Sequence, residues 1–212
     1  MDDEEITGPQ SASSSAPLEL LRARPPRERA DAARNREKVL AAAAELFAEK
    51  GVEAVSMDTI ATAAGVGKGT LFRRFGDKSG LAVALLDDRE RDLQQRILSG
   101  PPPLGPGAPA RERLAAFVAA YLRYLFDHLD LVRMSETASP GARYRIGAYR
   151  FWHRHVAILL AEARPDGDAG VLSHALLAAV GAEAAGVLKD EYGQDRAVSG
   201  ITDLALAVAN PG

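Results

Sequence analysis

The stretch SMDTIATAAGVGKGTLFRRFGDKSGL, residues 56–81, decides the architecture that we expect for the front of this chain. Ser56 is a good helix start, and Gly65 is a good helix end because glycine tolerates the positive φ of a sharp turn. A second short helix, residues 68–75, follows after only two residues. Ala61 lies four residues before Gly65, where a small side chain lets the second helix cross the first steeply. The pattern is typical of a helix-turn-helix.

Helical signals continue on both sides of this motif. Upstream, the apolar spacing of VLAAAAELFAEKG predicts a helix from near Ala30 to Lys50. Downstream, Asp77 is expected to cap a helix that runs to about Leu98, and PPPLGPGAP then breaks the pattern. We expect further helices over 109–128, 140–163, 168–191 and 195–209, with a short turn of helix over 129–136. The sequence has no run of alternating β-branched residues, so it predicts an all-α fold.

Composition excludes several kinds of protein. The chain has 212 residues, of which 47% are hydrophobic and 26% charged, and it contains no cysteine. Disulfides, zinc–thiolate sites and thiol nucleophiles are therefore excluded, and a reducing compartment is favoured. The acidic opening MDDEEITG does not resemble a secretory signal, and the longest uncharged apolar stretch is shorter than a bilayer span. We expect a cytoplasmic protein without a membrane partner.

Charge divides the chain into three parts that match the expected domains. Residues 1–21 carry five acidic and no basic side chains, whereas residues 22–80 have a net charge of +4. We expect a disordered arm over 1–28, a helix-turn-helix domain over 29–80 and a second helical domain over 81–212. A basic module can dock a polyanion. Four arginines in or near the arm would either touch DNA or form a solvated tail: Arg22, Arg24, Arg27 and Arg29.

Residues 34–86 resemble the amino-terminal module of the tetracycline-repressor-like (TetR) family of bacterial transcription regulators. The resemblance rests on LF (46–47), EKG (49–51), TIATAAGV (59–66), KGTLF (68–72) and FGDK (75–78). Beyond residue 90 only the length and the helical character agree. The family often has Tyr at the position of Phe72 and Ser at that of Gly67. A hydroxyl contact to phosphate and a helix cap are therefore missing here.

The resemblance implies a role for each matching residue in binding DNA. Thr59 would bond a phosphate, and Lys78 would hold the DNA backbone with its amide and its ammonium group. Lys68, Gly69, Thr70 and Arg73 would face the major groove, with Phe72 beside them.

Physical chemistry supports this placement of the second short helix. A helix amino terminus favours phosphate, and Gly69 leaves room beside base edges. Arg73 can donate two hydrogen bonds to one guanine. Arg74 is expected to meet phosphate or solvent. Thr59 as a solvent-facing helix residue and Arg73 as an ordinary surface arginine remain the alternatives.

The second domain concentrates its aromatic residues in two helices. Four of the five tyrosines and the only tryptophan lie there. The candidate ligand-binding residues are Phe117, Tyr121, Tyr124, His128, Tyr144, Trp152 and His155. The resemblance implies a cavity between these helices that holds an inducer, whereas the alternative is ordinary core packing. Arg143, Arg150 and Arg154 are expected to face solvent, so the ligand would be mainly apolar or aromatic.

Small residues in the last helices predict a homodimer. The candidate interface residues are Ala175, Ala178, Ala182, Ala185, Gly186, Ile201, Leu204 and Val208. Two such helices from each subunit would form a four-helix bundle, and a two-fold protein suits a palindromic DNA site. The alternative is that both helices only complete the core of one chain.

These patterns together predict a ligand-responsive regulator that represses a palindromic double-stranded DNA operator and is released by a small apolar or aromatic molecule. The alternative is a DNA-binding dimer whose second domain has no sensor role and serves dimerisation or a protein partner. The sequence has no HExxH, nucleophile elbow or phosphate loop, so we expect neither an enzyme nor a cofactor. His153 and His155 point about 200° apart on a helix and cannot share a metal ion.

Overall fold

The computed structural model describes residues 26–210, which form eleven helices and no strand. The helices are α1 (Pro26–Lys50), α2 (Met57–Ala64), α3 (Lys68–Phe75), α4 (Lys78–Ser99), α5 (Ala110–Asp127), α6 (Leu129–Thr137), α7 (Ala142–Arg145), α8 (Gly147–Ala163), α9 (Ala169–Ala179), α10 (Ala182–Tyr192) and α11 (Gln194–Val208). The all-α prediction is confirmed for this part of the chain. The arm expected over 1–28 lies almost wholly outside the described residues, as do the side chains of its four arginines.

Helices α1 to α3 and the start of α4 share a small apolar core. Ile60 and Leu71 are fully buried in it, and α1 contributes Val39 and Phe47. Ser56 accepts a hydrogen bond from the Thr59 N–H, as an N-cap does. The expected turn is present, because Gly65 ends α2 with a φ of 64°.

The second core lies around α5, which packs against α8 on one side and α11 on another. α4 leads from the first core into the second, burying Leu81 in one and Leu93 in the other. α6 lies against α4 and packs Leu131 and Met134 onto the first core. Both α4 and α6 therefore connect the helix-turn-helix to the second domain.

Two predicted helices are each broken in the structure. The helix expected over 140–163 divides into α7 and α8, because Ile146 adopts an extended conformation with ψ 133°. The helix expected over 168–191 divides at Gly181, which has ψ 155°. A side chain at Gly181 would collide with the guanidinium of Arg143, so another residue at this break would require Arg143 to move.

A buried ion pair satisfies the backbone at the second break. Arg143 and Glu136 lie 3.3 Å apart and are both nearly covered. Arg143 donates to the carbonyl of Leu177 at 2.6 Å, and the Glu136 carboxylate accepts from the Ala182 N–H at 2.9 Å. The prediction that Arg143 faces solvent is wrong, because this guanidinium serves the carboxyl end of α9.

Across the described residues, no single helix is long and apolar enough to cross a membrane. α9 and α10 reach the necessary length and hydropathy only when taken together, and they meet at a bend of 49°. Leu176 and Leu177 of α9 are packed inside the second core.

Candidate functional site

The outward face of α3 is free of contacts that the fold requires. Leu71 is the buried residue of this helix, and Gly69 and Arg73 lie on the side opposite to it. A Cβ at Gly69 would meet nothing within 4 Å, so the fold does not demand glycine there. Thr70 and Phe72 flank this pair and are also exposed. The face can therefore approach a flat or grooved surface closely.

Two side chains at the edge of this face have exposed partners. The Lys68 ammonium lies 2.8 Å from a carboxylate oxygen of Asp58, and more than half of each side chain is exposed. The Thr59 hydroxyl lies 2.8 Å from that of Ser56. Exposed pairs of this kind contribute little free energy, so Lys68 and Thr59 can exchange these partners for phosphate at small cost.

The structure gives Arg74 and the Lys78 ammonium partners inside the protein. Arg74 donates to the carbonyl of Ala32 on α1 at 2.8 Å. The Lys78 ammonium donates to the carbonyls of Val52 at 2.8 Å and Val55 at 3.1 Å. These bonds fasten α4 to the loop after α1, so the ammonium would have to leave them in order to hold DNA, and that contact stays a prediction.

The backbone of Lys78 remains suited to an anion. Asp77 caps α4 by accepting from the N–H groups of Ser79 and Gly80, and the pKa of its carboxyl is lowered mainly by the Ser79 hydroxyl. This cap does not use the Lys78 N–H, which lies in the first turn of a long helix. The N–H keeps the favourable dipole position that phosphate requires.

Most of the predicted ligand-binding residues form one continuous aromatic cluster. The ring of Tyr121 lies 5.6 Å from Phe117, 6.0 Å from Tyr124 and 5.5 Å from Trp152. His155 is 5.2 Å from Phe117, and His128 is 5.4 Å from Tyr124. Tyr144 is separate: it is 53% exposed on α7 and packs against Tyr149 and His174. Its assignment to the same cavity is wrong because the break at Ile146 turns α7 away.

Little space remains between these rings. A void of about 20 Å³ lies beside Tyr121, Tyr124 and Trp152, which is room for about one water molecule. Its lining also includes Glu90, Glu136 and Arg143, which the aromatic spacing gave no reason to expect. The site is therefore more polar than the predicted apolar cavity.

Burial changes the acid–base chemistry of this region. Desolvation raises the pKa of Glu90, the hydrogen bond from Tyr124 lowers it in part, and the nearby charge of Asp87 adds a smaller upward contribution. Desolvation also raises the pKa of Glu136. The pKa of His155 is lowered to about 4, chiefly by desolvation and further by Arg113. His155 is therefore a neutral core histidine near pH 7.

The predicted interface residues divide between the core and the surface. Ala182, Ala185 and Gly186 are buried within one chain, and Gly186 lies against Arg133 and Leu129 of α6. Their assignment to a subunit interface is wrong, because the break at Gly181 turns this small-residue face of α10 inward. The outward positions are Ala175, Ala178 and Leu204, while Ile201 and Val208 are half-buried.

Comparison with known proteins agrees with the geometry of α1 to α4. Residues 39–85 match the model of the tetR family of bacterial regulatory proteins. Residues 39–85 therefore form a helix-turn-helix module of the tetR family. A transcriptional regulator of Staphylococcus aureus, SAR2658, is 32% identical over 121 residues, which are 57% of this chain and 64% of that protein. The matches span between 34% and 64% of the length of the curated relatives.

Solved structures extend the tetR family likeness to the second domain. A TetR/AcrR family regulator from Thermobifida fusca is 25% identical with a TM-score of 0.56, over 81% of this chain and 96% of its own. Thermus thermophilus FadR, a repressor solved with lauroyl-CoA, is 18% identical with a TM-score of 0.60, over 82% and 92%. The matched proteins are transcriptional regulators rather than enzymes.

Proposed function

We propose that this chain is a DNA-binding regulator of transcription of the tetR family and that it inserts α3 into the major groove. The exposed face of Gly69 and Arg73, opposite the buried Leu71, is the observation that carries this proposal. A helix held in this way by a turn and a preceding helix is the arrangement used for reading base edges. Arg73 would bond guanine, while Thr70 and Phe72 would contact the walls of the groove.

Phosphate contacts would set the position of α3 on the duplex. Thr59 and Lys68 are exposed beside the reading face, and the Lys78 N–H points from the start of α4. The net charge of +4 over residues 22–80 attracts the DNA polyanion to this part of an otherwise acidic chain. These groups supply affinity, and Arg73 supplies most of the sequence preference.

A dimer would bring two such helices to one palindromic operator. The exposed side of α9 presents Val171, Ala175 and Ala178 at helical spacing, and Val171 is 62% exposed. Leu204 on α11 and Ile158 on α8 add apolar surface. An exposed apolar surface formed by several helices suits contact with a second copy of the chain.

The second domain would regulate DNA binding through a small molecule. α4 and α6 touch both cores, and α6 carries Glu136, which lines the void beside Trp152. A ligand that prefers one arrangement of these helices changes the population of DNA-competent dimers. The lauroyl-CoA held by the FadR structure supports such a role for this fold. We propose repression that the ligand relieves.

The small size of the void favours a second candidate function. At about 20 Å³ the space is too small for a metabolite, and its walls are well packed. In that candidate, the domain serves dimerisation or binds a protein partner, with no sensor role. The two candidates differ in whether the packed rings separate to admit a molecule.

Selection of binding sites from random duplex DNA tests the proposed function without any ligand. We expect enrichment of an inverted repeat whose half-sites are one helical turn apart, about 34–36 Å. Affinity for the enriched duplex should fall steeply with salt, because several phosphates are neutralised. A library that shows no enrichment above an unselected pool would contradict the proposal.

A further inference from the structure

Tyr124 lines two spaces of very different size. One is the void of about 20 Å³, and the other is an open groove of about 500 Å³. The groove runs between α4 and α5 and includes Leu93 and Ala120. Rotation of Tyr124 away from Glu90 would join the two spaces. The combined site would then hold a small organic molecule.

Glu90 is the carboxylate of this site that has no cation. Glu136 is already paired with Arg143, whose guanidinium also bonds the carbonyl of Leu177. Within residues 30–210, no ion pair joins Glu90 to a basic side chain. Its hydrogen-bond partner is the Tyr124 hydroxyl, which donates across 3.2 Å. With both carboxylates ionised, the one guanidinium leaves the inner lining with a single uncompensated negative charge.

Aromatic faces surround the same position. Tyr121 lies 5.5 Å from Trp152 and 6.0 Å from Tyr124, so three rings meet beside the carboxylate. The ring of Tyr149 is already covered by the guanidinium of Arg143 at 5.5 Å. Ring faces carry negative potential, and they attract a cation strongly where water is excluded. The rings and the Glu90 carboxylate therefore both favour a positively charged ligand.

We propose that this site, once Tyr124 has turned, binds a small organic monocation whose ammonium group lies between Glu90 and the rings of Tyr121 and Trp152. The inference rests on the ligand-sensing part of the proposed function and names its ligand class. The apolar frame of the ligand would occupy the space that Tyr124 leaves. Arg143 is engaged by Glu136 and Leu177, which argues against an anion in the inner site. The groove arginines Arg89, Arg96 and Arg123 make an anion the competing outcome.

Three probes with the same ring and different charge test this inference. Cyclohexylammonium, cyclohexanol and cyclohexanecarboxylate are titrated at neutral pH, with the emission of Trp152 and calorimetry as readouts. Trp152 is the sole tryptophan. We expect the ammonium probe to bind about tenfold more tightly than the alcohol, with the carboxylate weakest. Glu90→Gln should remove most of this preference, whereas the exposed control Glu162→Gln should keep it.

A second variant tests the gate. Tyr124→Phe removes the hydroxyl that holds Glu90, so it should bind the ammonium probe more tightly than the wild type does. Equal affinity for the ammonium and the alcohol, tightest binding of the carboxylate, or no binding of any probe to the wild type would each overturn the inference. Operator selection uses no probe, so it tests DNA binding separately. If the chain selects an operator but does not bind the ammonium probe, this inference is wrong and the DNA-binding proposal still holds.

Discussion

Basic residues of the helix-turn-helix differ in what they contact, and their substitutions should differ accordingly. The Lys78 ammonium donates to the carbonyls of Val52 and Val55 in the loop after α1. Lys78→Ala should therefore lower the free energy of unfolding by about 1–3 kcal/mol, since hydrogen bonds from a charged donor are lost. The salt dependence of DNA affinity should stay unchanged. Chemical denaturation and binding at several salt concentrations measure the two effects.

The control for this substitution is Lys68→Ala, whose ammonium is exposed beside Asp58. It should leave the unfolding free energy nearly unchanged and reduce the slope of log affinity against log salt by about one unit. A stable Lys78→Ala protein with the reduced slope would show instead that the Lys78 ammonium leaves its carbonyls and binds phosphate.

His155 makes stability depend on pH in a defined direction. Its pKa is about 4 in the folded chain because of burial, below the ordinary value of 6.5. The unfolded chain therefore binds a proton more readily, and stability should fall as the pH drops from about 6.5 to about 4. Over this pH range the contribution of His155 lowers the free energy of unfolding by about 3 kcal/mol in total.

The variant His155→Leu isolates this effect. The raised pKa values of Glu90 and Glu136 act with the opposite sign, because the folded chain holds those protons more tightly. The difference in melting temperature between wild type and His155→Leu should therefore change between pH 7 and pH 4.5 in favour of the variant. A difference that is the same at both pH values would mean that His155 is hydrated.

At the scale of elements, the break between α9 and α10 separates two alanines with opposite environments. Ala178 is exposed on α9, whereas Ala182 is fully buried on α10. Ala178→Arg should give a folded monomer, because a long cation then lies in the proposed contact between copies. Ala182→Arg should unfold the chain, because an unpaired charge would enter the core. Light scattering and circular dichroism distinguish a lost dimer from a lost fold.

The wild type should scatter as about twice the chain mass of 22.5 kDa. A monomeric wild type at micromolar concentration, or a dimeric Ala178→Arg protein, would place the contact on another face of the molecule.

Local signals were sufficient for the helix-turn-helix but not for the broken helices. Ser56, Gly65 and Asp77 act on backbone groups within four residues, so their spacing predicts the caps of α2 and α4. The break at Gly181 depends on Glu136 and Arg143, which approach it only after α6 and α7 have packed. A single isolated glycine in an apolar run does not reveal that contact.

The site shows the same limit. Aromatic spacing predicted that Phe117, Tyr121 and Trp152 share a cluster, because each lies on the buried stripe of its helix. Glu90 and Glu136 gave no comparable signal, since each lies among other charged residues of its helix. Their proximity to the rings is set by how α4 and α6 pack around α5, a tertiary property that periodicity does not contain.

For the whole molecule, the proposed regulation requires a coupling free energy between the ligand site and the DNA-reading helix α3. α6 carries Glu136 beside the void and Leu131 against the core of α1 to α3. Arg36 of α1 also faces Asp87 of α4 across 3.8 Å. In the proposed function, a ligand would bias the separation of two α3 helices in a dimer through these contacts. The bias is limited to the difference in ligand affinity between the two arrangements.

Base preference measured for wild type and Arg73→Ala tests the central claim most directly. The selected operator is compared with duplexes that carry each single base-pair change. We expect Arg73→Ala to lose about 1–3 kcal/mol of discrimination at one base position, repeated symmetrically in each half-site, while other positions keep their preference. Arg74→Ala, whose side chain bonds Ala32, should keep the full profile. A profile that Arg73→Ala leaves unchanged would contradict the placement of α3 in the major groove.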